Sequence, residues 1–207
     1  MPSAELKRIL EAALLAYGQP LGVEQMREMF EESERPSASD VRRALAELAR
    51  DCEGRPVELV EVATGWRLQV RSAYSARVSR LWQERPTRYS RALLETLALI
   101  AYRQPITRGE IEDVRGVTVN PNIVRTLTER GWIRVVGHRE VPGHPELLGT
   151  TREFLDYFSL RSLDDLPSLA ALKDMESVGI QLEFDGPAAV GRADTMQTAA
   201  NDAEAPA

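Results

Sequence analysis

Two histidines and two carboxylates stand close enough in the chain to suggest chemistry, as His138-x-Glu140 and His144-x-Glu146. Paired imidazoles and carboxylates could bind zinc or shuttle protons. They lie in or beside Val141-Pro142-Gly143-His144-Pro145, a run of turn residues, and no third histidine completes a common ligand set. The pattern therefore predicts solvated hairpin residues. Glu110, Glu112 and Asp113 form a second acidic group, but acidic side chains are favoured electrostatically in the first turns of a helix, so a solvated helix face accounts for them. Cys52 is the single cysteine. It can form neither an internal disulfide nor a thiolate zinc site, and it reads as a small, partly buried apolar residue.

The common catalytic frames are missing from the sequence. A phosphate-binding loop needs Gly-Lys-Ser or Gly-Lys-Thr, yet neither Lys7 nor Lys173 follows a glycine. There is no Gly-x-Ser-x-Gly elbow, no His-Glu-x-x-His helix and no Gly-x-Gly-x-x-Gly turn. No catalytic, cofactor or metal residue is assigned, and no cofactor is expected.

The elements that carry these residues come from a chain of 207 residues. At about 150 residues per domain that length allows one large or two small domains. Hydrophobic residues make up 43% and charged residues 28%, which predicts a folded chain with a sizeable core. No window approaches the roughly 18 to 20 apolar residues that span a bilayer. Met1-Pro2-Ser3-Ala4-Glu5 lacks a signal-peptide pattern, so a cytoplasmic protein without membrane contact is expected. The net charge of −6 is unevenly spread: residues 1–84 carry 12 basic and 14 acidic side chains, residues 85–161 carry 12 and 9, and residues 162–207 carry 2 and 9.

An internal repeat organises the rest. Leu14-Leu15-Ala16-Tyr17-Gly18-Gln19-Pro20-Leu21 matches Leu99-Ile100-Ala101-Tyr102-Arg103-Gln104-Pro105-Ile106 at an offset of 85 residues. An amphipathic helix precedes each copy, with Leu6, Ile9, Leu10, Ala13, Leu14 and Tyr17 on the apolar face of the first. The second uses Leu93, Leu94, Leu97, Ala98, Ile100 and Ala101. A short helix follows each Gln-Pro, one from about Val23 to Phe30 and the other opening at Thr107 with Glu110 in capping-box spacing. Met26 and Met29 align with Ile111 and Val114. Third helices begin near Ser39, burying Val41, Leu45 and Leu48, and at Asn120-Pro121, burying Ile123, Val124 and Leu127.

Strand-like sequence comes next in both copies. Residues 57–62 and 66–70 alternate around Ala63-Thr64-Gly65, a hairpin. Gly131 stops the other third helix ahead of strand residues 132–136 and 147–150. Helix, helix, helix, hairpin is the order of a winged-helix domain, so the chain reads as mainly α with small β-hairpin wings, two such domains in tandem. The expected division is residues 1–72, a connecting helix over 73–86, a second domain over 87–165 and an acidic tail over 166–207. A terminal helix is expected over Thr151 to Leu160, and disorder from Pro187.

Winged helices often set their third helix in DNA. Here Arg42, Arg43 and Arg50 face Asp40 and Glu47, and Arg125 and Arg130 face Glu129, so neither helix presents a one-signed basic face. A DNA-binding transcription regulator stands as the alternative function, and an enzyme using the His138 and His144 loop as a third.

The second copy carries more than periodicity. The runs from Ala92 to Val117, Leu127-Thr128-Glu129-Arg130-Gly131-Trp132-Ile133, Val136 to Pro145 and Gly149-Thr150-Thr151-Arg152-Glu153-Phe154-Leu155 closely resemble the signature of the segregation and condensation protein B (ScpB) family. The chain departs from that pattern at Leu148, where the family often has an aromatic residue, and over Thr118 to Ile123. The resemblance implies a non-enzymatic, homodimeric accessory subunit of the bacterial SMC condensin-like complex, cytoplasmic and associated with the nucleoid. It would be gripped by the kleisin ScpA, with the SMC ATPase reached through the kleisin. It also implies that the first domain, including the helix about Glu5 to Tyr17, serves dimerisation and the second serves kleisin binding. Polar motif members that a core alone does not require, Tyr102, Gln104, Arg108, Arg115, Arg130 and Arg139, are the expected partner-binding residues. The basic second domain admits a weak, non-specific DNA contact.

Overall fold

The computed structural model describes residues 2–81 and 89–168. The first half opens with helix α1 (Ser3–Tyr17), α2 (Val23–Glu28) and α3 (Ala38–Asp51), followed by strands β1 (Val57–Val62) and β2 (Gly65–Val70) paired as an antiparallel hairpin. Leu6, Leu10 and Leu14 of α1 recur every fourth residue and pack with Met26, Val41, Leu45 and Leu48. That narrow stripe corrects the wider apolar face read from the sequence: Ile9 and Tyr17 are exposed. The stripe drifts only slowly around a helix of 3.6 residues per turn, and Ile9 and Tyr17 fall on its flanks.

Cap chemistry fixes the helix starts. Ser37 Oγ accepts from Asp40 N–H at 3.1 Å to open α3, and Gln25 Oε1 accepts from Gly22 N–H at 2.9 Å to open α2. Leu21 exchanges two backbone hydrogen bonds of 2.9 Å with Trp66, tying the α1–α2 connection to the hairpin. Gly65 permits this approach, because a Cβ there would overlap the Leu21 carbonyl.

Helix α4 (Ser72–Val78) and a single 3-10 turn (Ser79–Leu81) lead out of the first half. The remainder of the expected connecting helix, with Trp82 and Pro86, lies outside the described residues, as does the tail beyond Ser168.

The second half repeats the plan. Helix α5 (Arg91–Arg103), a two-residue strand β3 (Ile106–Thr107), α6 (Arg108–Arg115), α7 (Pro121–Glu129), β4 (Ile133–His138), β5 (Glu146–Thr150) and α8 (Arg152–Tyr157) follow in order. The sheet runs β3-β5-β4, all antiparallel, with a bulge between Val135 and Gly137. Strand β3 was not anticipated: two residues are too few to show alternation. Thr107 and Glu110 form the expected reciprocal cap, at 2.8 and 3.2 Å. Asn120 Oδ1 caps α7, and Gly131 in the left-handed region ends it.

The second core gathers Leu93, Leu97, Ile100, Ile111, Leu127, Ile133 and Phe154. Ala98, placed on the apolar face by its spacing, is exposed, and Thr96 is buried instead. Thr96 meets the cost of burial by donating to Ala92 O at 2.8 Å. Trp132 stacks among Tyr89, Tyr157 and Phe158, with ring centroids 4.6 to 5.4 Å apart. The terminal helix is shorter than its sequence suggested, ending at Tyr157, with Ser159 in the left-handed region. Each half thus has its own core, three helices leading into a hairpin wing and a short helix after it: two winged-helix domains.

Candidate partner-binding surface

Three of the expected residues surround α6, and each is anchored on a carboxylate. Arg108 Nε donates to Glu112 Oε1 at 3.0 Å, and its Nη2 donates to Val119 O at 2.6 Å. Glu112 Oε1 also accepts from Val119 N–H at 2.9 Å, so the pair clamps both backbone groups of a fully buried residue on the loop into α7. The Val119 N–H chiefly, with Arg108 beside it, holds the Glu112 carboxyl below the usual range. Arg139 Nη2 reaches Glu110 Oε1 at 2.6 Å from the β4–β5 wing. Glu110 is also lowered, first by the Thr107 N–H and then by side-chain partners that include Arg139.

Arg115 is different in kind. Its side chain is only 11% exposed, donating to Glu95 Oε2 at 3.0 Å and Thr96 Oγ1 at 3.4 Å. It crosses from α6 to α5 and holds the two helices in register. Glu95 is shared with Arg91, whose hydrogen bond lowers its carboxyl more than that of Arg115 does.

Tyr102 and Gln104 form a second group at the end of α5. Tyr102 donates its hydroxyl to Pro167 O at 2.7 Å, tying down the segment after α8, and partial burial pushes its phenol up. The Gln104 side chain accepts from Thr150 N–H at 2.8 Å and donates to Thr150 Oγ1 and Ala101 O at 2.9 and 3.2 Å. It therefore seats β5 against α5. Arg130 stands apart, its guanidinium 5.1 Å from the centre of the Tyr89 ring. Tyr89 in turn helps to push Tyr157 up to about 12, burial being the larger cause.

The six residues thus fall into three groups. Arg108, Arg130 and Arg139 keep an exposed edge, whereas Gln104 and Arg115 are largely spent on the fold. Sequence reasoning did not single out as a surface two exposed apolar side chains, Val114 in the last turn of α6 and Val117 just after it. The repeat held the signal. Met26 and its equivalent Ile111 are both 0% exposed, and Met29 and its equivalent Val114 are both 45% exposed.

The sequence also missed the contact between the domains. Thr64 at the tip of the first wing donates its N–H and hydroxyl to Asp156 of α8, Ala63 N–H donates to Leu160 O at 2.9 Å, and Arg67 Nη2 donates to Ser159 Oγ at 2.9 Å. Burial lowers the Arg67 guanidinium, with Asp156 acting against it. In the third helices, Arg43 pairs with Asp40 at 2.6 Å and Arg125 with Glu129 at 3.5 Å. Among the described residues, no three of His, Cys, Asp and Glu gather to hold a metal ion, and no helix is long and apolar enough to cross a membrane.

The fold defines a tandem winged-helix protein whose second domain carries ion-paired arginines along α6. The chain belongs to the family of the segregation and condensation complex subunit ScpB, which it matches over residues 8–169, across both domains. It is 51% identical over 181 residues to the segregation and condensation protein B homolog of Coxiella burnetii, covering 87% of each chain. To segregation and condensation protein B of Syntrophotalea carbinolica it is 42% identical, over 93% of this chain and 96% of the relative. Among solved structures, ScpB from Mycobacterium tuberculosis is 35% identical with a TM-score of 0.36, covering 77% of this chain and 98% of that one. A dimer of an ScpB N-terminal domain complexed with ScpA peptide is 26% identical with a TM-score of 0.32, covering 40% of this chain and 92% of that one.

Proposed function

We propose that this segregation and condensation subunit acts without catalysis, as a homodimer that binds the kleisin ScpA and through it the SMC ATPase, at the nucleoid. The observation that carries the reading is the family match spanning both winged-helix domains. The first domain serves dimerisation, and its α1 supports this by leaving Ile9, Leu15 and Tyr17 exposed beside the stripe that packs inward. The second domain takes the kleisin on the surface around α6, where Val114 and Val117 supply apolar area and Arg108 and Arg139 supply charge, with Arg130 beside Tyr89 as a separate contact. Tyr102, Gln104 and Arg115 position that surface.

Titration calorimetry of ScpA into the Val114→Glu variant tests the placement. A charge at the centre of a buried apolar contact weakens affinity by about tenfold or more. Affinity equal to that of the unmodified chain, with the variant folded by circular dichroism, rejects the α6 surface.

A further inference from the structure

Most arginines described in the second domain already hold a carboxylate of the same chain: Arg91, Arg108, Arg115, Arg125, Arg139 and Arg161. Arg130 lies beside the Tyr89 ring instead. Arg103, Arg134 and Arg152 make no hydrogen bond or ion pair among the described residues. Two of these three, Arg134 on β4 and Arg152 on α8, are exposed and line one cleft of about 410 Å³. That volume falls within the roughly 300–1,000 Å³ range of ligand-binding clefts.

The remaining polar lining is engaged in the fold. Gln104 bonds Thr150 through both ends of its amide, and Thr151 Oγ1 donates to Gly131 O and accepts from the Phe154 N–H. Arg134 stands opposite Gly149 in the β4–β5 ladder, so no side chain meets it across the strands. A Cβ at Gly149 would come 3.0 Å from Gln104 Oε1, which keeps that position bare. Leu155 and the exposed Leu163 add apolar lining, and Glu153 adds one carboxylate without a partner among the described residues.

Two unpaired guanidinia select an acceptor that takes paired N–H donors, a carboxylate or a phosphate. The rest of the lining decides between them. A nucleic-acid backbone would set its phosphates against Glu153 and leave both leucines without an apolar partner. An acidic peptide brings carboxylates and apolar side chains together. We propose that this cleft docks a short segment of a partner protein in which acidic residues flank an apolar one. The carboxylates meet Arg134 and Arg152, the apolar side chain lies on Leu155 and Leu163, and Glu153 limits how much negative charge the segment carries. No residue of α6 lines the cleft, so the inference stands independently of kleisin binding there.

NMR titration of the full chain with a synthetic six-residue peptide of alternating aspartate and leucine tests it. The Nε–H signals of Arg134 and Arg152 and the methyl signals of Leu155 and Leu163 are expected to shift together and to saturate. Arg134→Glu and Arg152→Glu are each expected to weaken binding about tenfold or more, and Glu153→Gln to strengthen it about threefold, with thermal melting unchanged at these exposed sites. Four results overturn the proposal. They are no shift at millimolar peptide, equal binding of a lysine–leucine peptide, the same arginine shifts at equal affinity with inorganic phosphate, which would assign a bare anion site, and displacement of the peptide by a short DNA duplex, which would assign a nucleic-acid contact.

Discussion

Thr64 and Asp156, 92 residues apart, join the two winged-helix domains: the Thr64 N–H and hydroxyl both donate to the Asp156 carboxylate, at 3.0 and 2.6 Å. The wing tip of one domain is thereby held on α8 of the other. Each hydrogen bond contributes about 0.5–1.5 kcal/mol net, so the contact orients domains whose folding rests on separate cores. Asp156→Ala is expected to leave both domains folded and to broaden their separation. Spin-label distances between α3 and α7 measure this; an unchanged distribution would show that the Thr64–Asp156 pair does not set the orientation.

Arg115 and Arg108 are both expected to matter, for different reasons. Removing the nearly buried Arg115 leaves Glu95 with Arg91 alone and strips Thr96 Oγ1 of a donor. Arg115→Ala is expected to lower stability by about 1.5–3 kcal/mol, the range for charged hydrogen bonds, in urea unfolding. Arg108→Ala, at a more exposed site, is expected to cost less stability while still weakening ScpA binding. Equal midpoints for the two variants would remove the distinction between frame and rim.

Gly65 is the tightest point of the first wing. Any side chain there displaces the Leu21 backbone and breaks its paired hydrogen bonds with Trp66. Gly65→Ala is expected to destabilise the first domain by about 1–3 kcal/mol, measured by thermal melting. Gly54, whose added Cβ would meet nothing, is the control, since there only its left-handed φ of 73° opposes substitution.

Strong acid should open the turn after α8. Arg161 donates its N–H and guanidinium to Asp165, and these bonds hold the carboxyl near a pKa of about 2, below its usual 3.8. A carboxylate depressed in this way stabilises the folded turn above its ordinary pKa, and that contribution is lost as pH falls from about 4 to about 2. NMR titration of the Asp165 carboxyl is expected to give a midpoint of about 2, with the turn over Arg161–Asp165 opening in step. A midpoint near 4 would contradict the observed bonds.

Much of this was legible in the chain because the fold is written twice. The 85-residue repeat, the Gln-Pro helix stops, the Thr107–Glu110 cap and Gly131 all act locally, and local rules read them. Spacing failed where two patterns compete on one helix. In α1 it placed Ile9 and Tyr17 in the core, although Leu6, Leu10 and Leu14 suffice. The motif singles out the six polar residues, but not their contacts, because partners such as Glu95, Val119 and Pro167 are set by tertiary packing. Thr64 and Asp156 carry no local signal for each other at all.

Light scattering on a sizing column, for the full chain alone and mixed with ScpA, tests the central claim most directly. The account predicts a mass of about twice 23.1 kDa alone and a larger stable complex on mixing. A monomer at every concentration that ScpA fails to shift would contradict it.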